Sequence, residues 1–117
     1  MNESNESNLN RRSNCPIACT LELIGDKWTI LIVRDMCFFG KCRFEDFLNS
    51  PEKISTNILT ARLNKMIEAG LITKNRYGTH SQRMDYKLTE KGSSLAEITR
   101  QIAVWGKENI PDTSLYL

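Results

Sequence analysis

The sequence predicts a mainly α fold with a small β-hairpin, in which a helix-turn-helix precedes the hairpin and further helices stand at both ends. Three observations predict it. Apolar residues recur at intervals of three and four in successive stretches, the period of a helix with one buried face. The string "RMDYKL" alternates apolar and charged residues instead, the period of a half-buried strand. Proline and glycine at 16, 25, 40, 51, 70 and 111 cut the 117 residues into pieces of element length, and that total is near the usual size of one domain.

Residues 1–14, rich in Asn, Ser and Glu, are expected to form a disordered arm, because they carry too few apolar side chains to offset the entropy of ordering. Pro16 suits the first position of a helix that presents Ile17, Leu21 and Ile24, and Gly25 ends it. Asp26 is the expected N-cap of a second helix, "KWTILIVRDMCF", which is apolar nearly all round and therefore central. Trp28 belongs with Ile30, Leu31 and Val33 in this core, and Lys27 and Arg34 are expected either solvated or paired with Asp35 and Glu22. After Gly40, Phe44, Phe47 and Leu48 make a short one-sided helix, and the turn "SPEKI" leads to Ser55 as N-cap of the next.

That next helix buries Leu59, Leu63, Met66 and Ile67 and stops at Gly70. Residues 71–75 read as a strand, "RMDYKL" as its antiparallel partner with Met84, Tyr86 and Leu88 inward, and residues 76–82 as the tip between them. Thr89 opens a last helix with Leu95, Ile98, Ile102 and Trp105 on one seam, closed before Pro111. This order is that of a winged helix-turn-helix with additional N- and C-terminal helices suited to dimerisation, spanning residues 15–110 with a tail at 111–117.

Composition narrows the function classes. No apolar run approaches the roughly 18 residues of a membrane span, and the first residues lack the apolar stretch of a signal peptide, so a cytoplasmic protein without membrane contact is expected. In that compartment Cys15, Cys19, Cys37 and Cys42 are free thiols by default. Their C-x3-C and C-x4-C spacings do not match a zinc knuckle, and neither metal nor cofactor is expected. Net charge is +2, but from Lys41 to Lys91 there are ten Lys or Arg against six Asp or Glu.

The helix over residues 55–70 has a second face that a core does not require. Asn57, Thr60, Ala61 and Asn64 lie opposite Leu59 and Leu63, with Lys65 beside them. Small and hydrogen-bonding side chains of this kind fit the major groove, where Asn pairs with adenine and Thr with a base edge or a thymine methyl, while Ser55 and Thr56 meet a phosphate at the helix N-terminus. A merely solvated face explains the helix alone equally well. The tip "RYGTHSQR", with Arg76, His80 and Arg83, adds a cationic hairpin suited to phosphates or a minor groove, and the pair of features favours double-stranded DNA as the partner.

These residues resemble the HxlR-type winged-helix transcriptional regulators, relatives of the MarR type. The matching strings are "CPIACTLELIGDKWTILIVRDM", "RFEDF", "ISTNILTARLNKMIEAGLI", "YKLTEKG" and the late "WG" of Trp105 and Gly106. The chain departs from the family pattern at Pro51 and Lys53, where members often carry Ile and Gly, and in the wing, where "GTHSQR" replaces a proline-containing string and keeps Arg83. The resemblance implies a homodimer on near-palindromic operator DNA, with Ile17 and Leu21 of the first helix and Leu95, Ile98, Ile102 and Trp105 of the last in the interface.

The seam of the last helix supports a dimer independently, although packing against the first helix of the same chain would also cover it. Cys15, set at or beside a helix N-cap by Pro16, is a candidate redox sensor, since the helix dipole favours a thiolate there; a small buried residue is the other reading. Some members of the family respond to oxidants or electrophiles, which makes an oxidant or a small ligand the expected effector. A protein-interaction module that never touches DNA is the alternative function. An enzyme is not expected, because no base is paired with Cys15 by any recognisable motif.

Overall fold

The computed structural model describes residues 11–76 and 83–114; residues 1–10 of the expected arm, residues 115–117 of the tail and residues 77–82 of the hairpin tip, with His80, lie outside them. Among the described residues, six helices and two strands follow in the order α1 (Pro16–Ile24), α2 (Thr29–Phe38), α3 (Phe44–Leu48), α4 (Thr56–Glu68), β1 (Ile72–Arg76), β2 (Met84–Leu88), α5 (Glu90–Ser93) and α6 (Ala96–Asn109). None of the described helices is long and apolar enough to cross a membrane.

Cys15 is the N-cap of α1 and Pro16 its first residue, as the sequence predicts. The next helix begins later than expected, at Thr29. Asp26 still secures its first turn from two residues further out, accepting hydrogen bonds from the amides of Trp28 (2.9 Å) and Thr29 (3.0 Å) and from the Thr29 hydroxyl (2.5 Å). Burial works against the Asp26 charge, but these three donors and the Arg62 guanidinium outweigh it and hold the carboxyl below its ordinary range.

α2 runs through the centre, with Thr29, Ile32 and Val33 buried, and Arg34 and Asp35 are buried with them. Two buried charges are tolerable only when paired and fully hydrogen-bonded. Arg34 donates to Asp35 Oδ1 through Nε (3.0 Å) and Nη2 (2.9 Å), and to both Glu52 oxygens at 2.9 Å. The Ser50 hydroxyl donates to Asp35 Oδ2 at 2.5 Å and accepts from Lys41 Nζ at 2.8 Å. The expected pairing of Arg34 with Asp35 is present, but its second acid is Glu52 from the turn before α4, whereas Glu22 pairs with Arg12. The network therefore ties α2 to the α3–α4 turn at Ser50 and Glu52.

In that turn Lys53 takes φ +58°, a left-handed conformation that the β-carbon of any residue but glycine resists. The Lys53 position is the one where resembling sequences often carry Gly. Ser55 then caps α4 by accepting from the Ile58 amide at 3.2 Å. At the far end Gly70, at φ +77°, closes a Schellman turn, its amide bonding the Ile67 carbonyl (3.0 Å) while Leu71 N–H bonds that of Met66 (2.9 Å).

β1 and β2 pair antiparallel from Ile72 opposite Leu88 to Arg76 opposite Met84. A fragment of a third strand joins them, because the Tyr86 amide donates to the Cys42 carbonyl at 2.7 Å and Arg43 bridges to Asp85. The hairpin is thereby fastened to the start of α3, and Tyr86 reaches the core to meet Phe47 edge-on, ring centroids 6.3 Å apart.

The single last helix expected from Thr89 is two helices. Thr89 caps α5, its Oγ1 accepting from Gly92 N–H at 3.0 Å, and the chain then breaks at Ser94, whose hydroxyl bonds the Lys91 carbonyl at 2.5 Å. Serines compete in this way for backbone groups that a continuous helix would use. The break also turns Leu95 into the core, at 8% exposure, away from the seam to which the sequence assigned it. From Ala96 onward α6 packs on α2, with Thr99 buried and Arg100 over the Phe38 ring at 5.0 Å.

Lys53→Gly should raise stability by about 0.5–1 kcal/mol, since relief of the left-handed strain exceeds the added freedom of the unfolded chain. Urea unfolding checks it: a lower midpoint at unchanged slope would show that Lys53 supplies more through its side chain than its backbone costs.

Candidate nucleic-acid interface

α4 buries Leu59, Leu63 and Met66 and leaves Thr56, Asn57, Ile58, Thr60, Ala61, Asn64 and Lys65 exposed, together with its cap Ser55. The second face is open along its length. One edge of it borders a groove of about 400 Å³ enclosed by α3, α4 and the hairpin. Thr60 and Asn64 line one wall, Lys74 and Arg83 another, and Phe44, Glu45, Met84 and Tyr86 complete it.

The structure thus brings Thr60, Asn64 and Arg83 together, from two elements that the sequence could only place in succession. Arg76 is exposed on β1. Arg83 is a less free cation than the sequence suggested: its Nε stands 3.8 Å from Asp85 Oδ1 and its side chain is 28% exposed. Lys74, exposed on β1, joins the groove, because the register of the hairpin brings it there. Glu45 is an acid among the lining residues, and Phe44, from the apolar side of α3, contributes to the groove as well.

The position of the hairpin against α4 is set by one cluster of hydrogen bonds. The Leu71 carbonyl accepts from Thr89 N–H at 3.0 Å, and the Thr89 hydroxyl is shared between the carbonyls of Gly70 (2.6 Å) and Leu71 (3.1 Å). Lys91 Nζ donates to the Ala69 carbonyl at 2.8 Å. Gly92 passes so close that a β-carbon there would collide with the Leu71 carbonyl oxygen. Glycine in "LTEKG" is thus required by approach, not by φ.

Ile17 and Leu21 of α1 and Ile98, Ile102 and Trp105 of α6 are exposed; Trp105 is 62% accessible. α1 buries Ile24 as its sole fully buried residue, so it gains little from its own chain. Trp28, expected in the core, is half-buried and packs against it, and the cavity beside it, bounded also by Phe47 and Ile54, holds about 10 Å³, room for one water and not for an organic ligand.

Cys15 is exposed. It makes no capping hydrogen bond through its side chain, yet the amide dipoles of Ala18 and then Ile17 favour its thiolate and bring the thiol below its ordinary value. Cys37 is half-buried, and burial pushes its thiol up against a smaller opposing effect of Arg100. Cys19 donates to the Ser13 carbonyl at 3.4 Å, while the Cys15 amide donates to the Ser13 hydroxyl at 3.2 Å.

A family model described as HxlR-like helix-turn-helix matches residues 23–114. An uncharacterised HTH-type transcriptional regulator of Mycobacterium bovis is 36% identical over 91 residues, 78% of this chain; the chain spans 56% of that relative's length. The HTH-type regulator YybR of Bacillus subtilis is 32% identical over 98 residues, covering 84% of this chain and 78% of its own. Among solved structures, the redox regulator HypR in its reduced form superposes with a TM-score of 0.74 at 30% identity, over 83% of this chain and 95% of its own.

The contrast between the two thiols should be visible kinetically. A disulfide reagent at neutral pH is expected to modify Cys15 first, and the pH midpoint of its reaction should lie below that of Cys37, because the thiolate is the reacting species. Faster modification of Cys37 would remove the basis for treating Cys15 as the responsive thiol.

Proposed function

The chain belongs to the HxlR-like helix-turn-helix family, and on that premise we propose that it is a sequence-specific DNA-binding transcriptional regulator acting as a homodimer on near-palindromic operator DNA. The observation that carries the reading is the open face of α4 bordering a groove with Lys74 and Arg83 on its far wall. α4 enters the major groove N-terminus first, Asn57, Thr60 and Asn64 meet base edges, and Ser55 and Thr56 lie against a phosphate. Lys65, Arg76, His80 and Arg83, joined by Lys74, meet the sugar-phosphate backbone. A module that binds protein through this face would favour a covered or acidic surface; here the exposed side chains from Asn57 to Lys65 are neutral or basic.

Two copies bring the exposed apolar residues of α1 and α6 together about a two-fold axis, and that axis sets the distance between the recognition helices. Cys15, at the N-cap of α1, stands where oxidation or reaction with an electrophile alters the helix that contributes to this contact. The redox regulator HypR shares the fold and 30% of the sequence, which supports an oxidant in preference to a small ligand as the effector.

Mobility shift against a duplex selected in vitro from a random pool tests DNA binding. Asn64→Ala should relax preference at particular base pairs, by about 1–3 kcal/mol each. Lys74→Ala should weaken all duplexes alike and reduce the log-log salt slope by about 0.9 per subunit. A slope near zero for the parent chain would defeat the reading.

Sedimentation at micromolar concentration should give a dimer, and Ile102→Asp a folded monomer, since the replaced side chain is already exposed within its own chain. A monomeric parent would break the two-fold model.

A further inference from the structure

The exposed face of α4 is not uniform. Around the helix, at about 100° per residue, Thr60 and Asn64 border the groove, Asn57 and Ala61 occupy the middle, and Ile58 and Lys65 form the far edge. Ile58 is 40% exposed, the large apolar side chain on a face otherwise made of small and polar groups. Of the other exposed large apolar residues, Ile110 is the C-cap of α6, those of α1 and α6 have the proposed two-fold contact, and Phe39 has the Arg34 guanidinium above it at 5.7 Å. Ile58 has none of these.

Its placement is fixed twice. The Ile58 amide is held by the Ser55 hydroxyl at 3.2 Å, which makes it the third residue of the helix, in the N-terminal turn that reaches base edges when such a helix enters the major groove. A β-branched side chain in a helix also keeps essentially one χ1 rotamer, so its methyl groups are presented in one direction. Ala61, one turn on and exposed, adds no bulk that would hold the helix away from the groove floor.

In the major groove one base alone carries an apolar group, the C5-methyl of thymine. We propose that Ile58, supported by Ala61, is a specificity-determining residue that selects thymine in each half-site by covering this methyl group, alongside the hydrogen-bonding side of the same helix. The proposal rests on the reading of the chain as a DNA-binding protein and adds a readout that sequence periodicity did not assign.

Replacing thymine by deoxyuridine deletes the methyl and leaves every hydrogen-bonding group in place. With the full chain and a duplex selected in vitro, each thymine is replaced singly. One position per half-site, or two adjacent ones, should weaken binding about fourfold, the ratio for one buried methyl. Ile58→Ala, which removes the contact from both half-sites, should bind the thymine duplex about sixteenfold more weakly than the parent and show no further loss with uracil, while Asn64→Ala keeps the full uracil penalty. Ile58→Ala should also sediment as the parent does. Uniform tolerance of uracil by the parent, a penalty that persists in Ile58→Ala, or loss of the dimer in that variant overturns the methyl readout while DNA binding stands. Failure to select any duplex overturns the DNA-binding reading and the proposal with it.

Discussion

The carbonyl of Leu71 is the joint on which the rest of the interface depends. It lies just past the end of α4, accepts from Thr89 N–H, shares the Thr89 hydroxyl with the carbonyl of Gly70, and is approached so closely by Gly92 that no side chain fits between. Three parts of the chain meet there: the end of the recognition helix, the end of β2 and the start of α5. A Schellman turn delivers Leu71 to this point, and a threonine N-cap receives it. One backbone bond, three side-chain donations to backbone carbonyls and the close approach of Gly92 together hold the angle between helix and hairpin. The groove on the other side of that angle is consequently a fixed feature.

The other end of α4 is anchored by charge. Arg34 and Asp35, in the middle of the central helix, would be costly alone; paired with each other, with Glu52 and with Ser50, they become a clamp on the turn that precedes the recognition helix. The Arg34 bond holds the Glu52 carboxyl below its ordinary range, so this contribution is present above the unfolded carboxylate pKa and is lost as pH falls through the lowered one. Lys53 accepts a left-handed backbone in the same turn. Asp26 adds a third tie, since it caps α2 and pairs with Arg62 of α4 at 3.5 Å. The strings "GDKWT" and "LTARL" thus meet in space, and the junction between α1 and α2 touches the recognition helix directly.

Division of labour follows. Apolar residues exposed on α1 and α6 lie outside the joint and the clamp, and so do the exposed side chains of α4. What the core holds is the relation between helix, turn and hairpin; what it leaves available is an apolar surface on α1 and α6 and a polar surface on α4. Cys15 caps α1, a helix whose buried residue is Ile24 alone.

Much of this was legible in the sequence because it is local. Periodicity located α1, α2, α4 and both strands, Ser55 and Gly70 marked the ends of the recognition helix, and the polar second face of α4 followed from arithmetic at 100° per residue. Only the tertiary structure decided what depends on contacts between distant residues. It moved Leu95 from the seam into the core, because a serine bond at Ser94 breaks the last helix. It gave Arg34 its partner Glu52, 18 residues away, and it placed Lys74 in the groove through hairpin register. The sequence by itself determined which elements form and which faces they offer, since those follow from neighbours within a turn; which faces are brought together, and which charges are spent on holding them, required the packed chain.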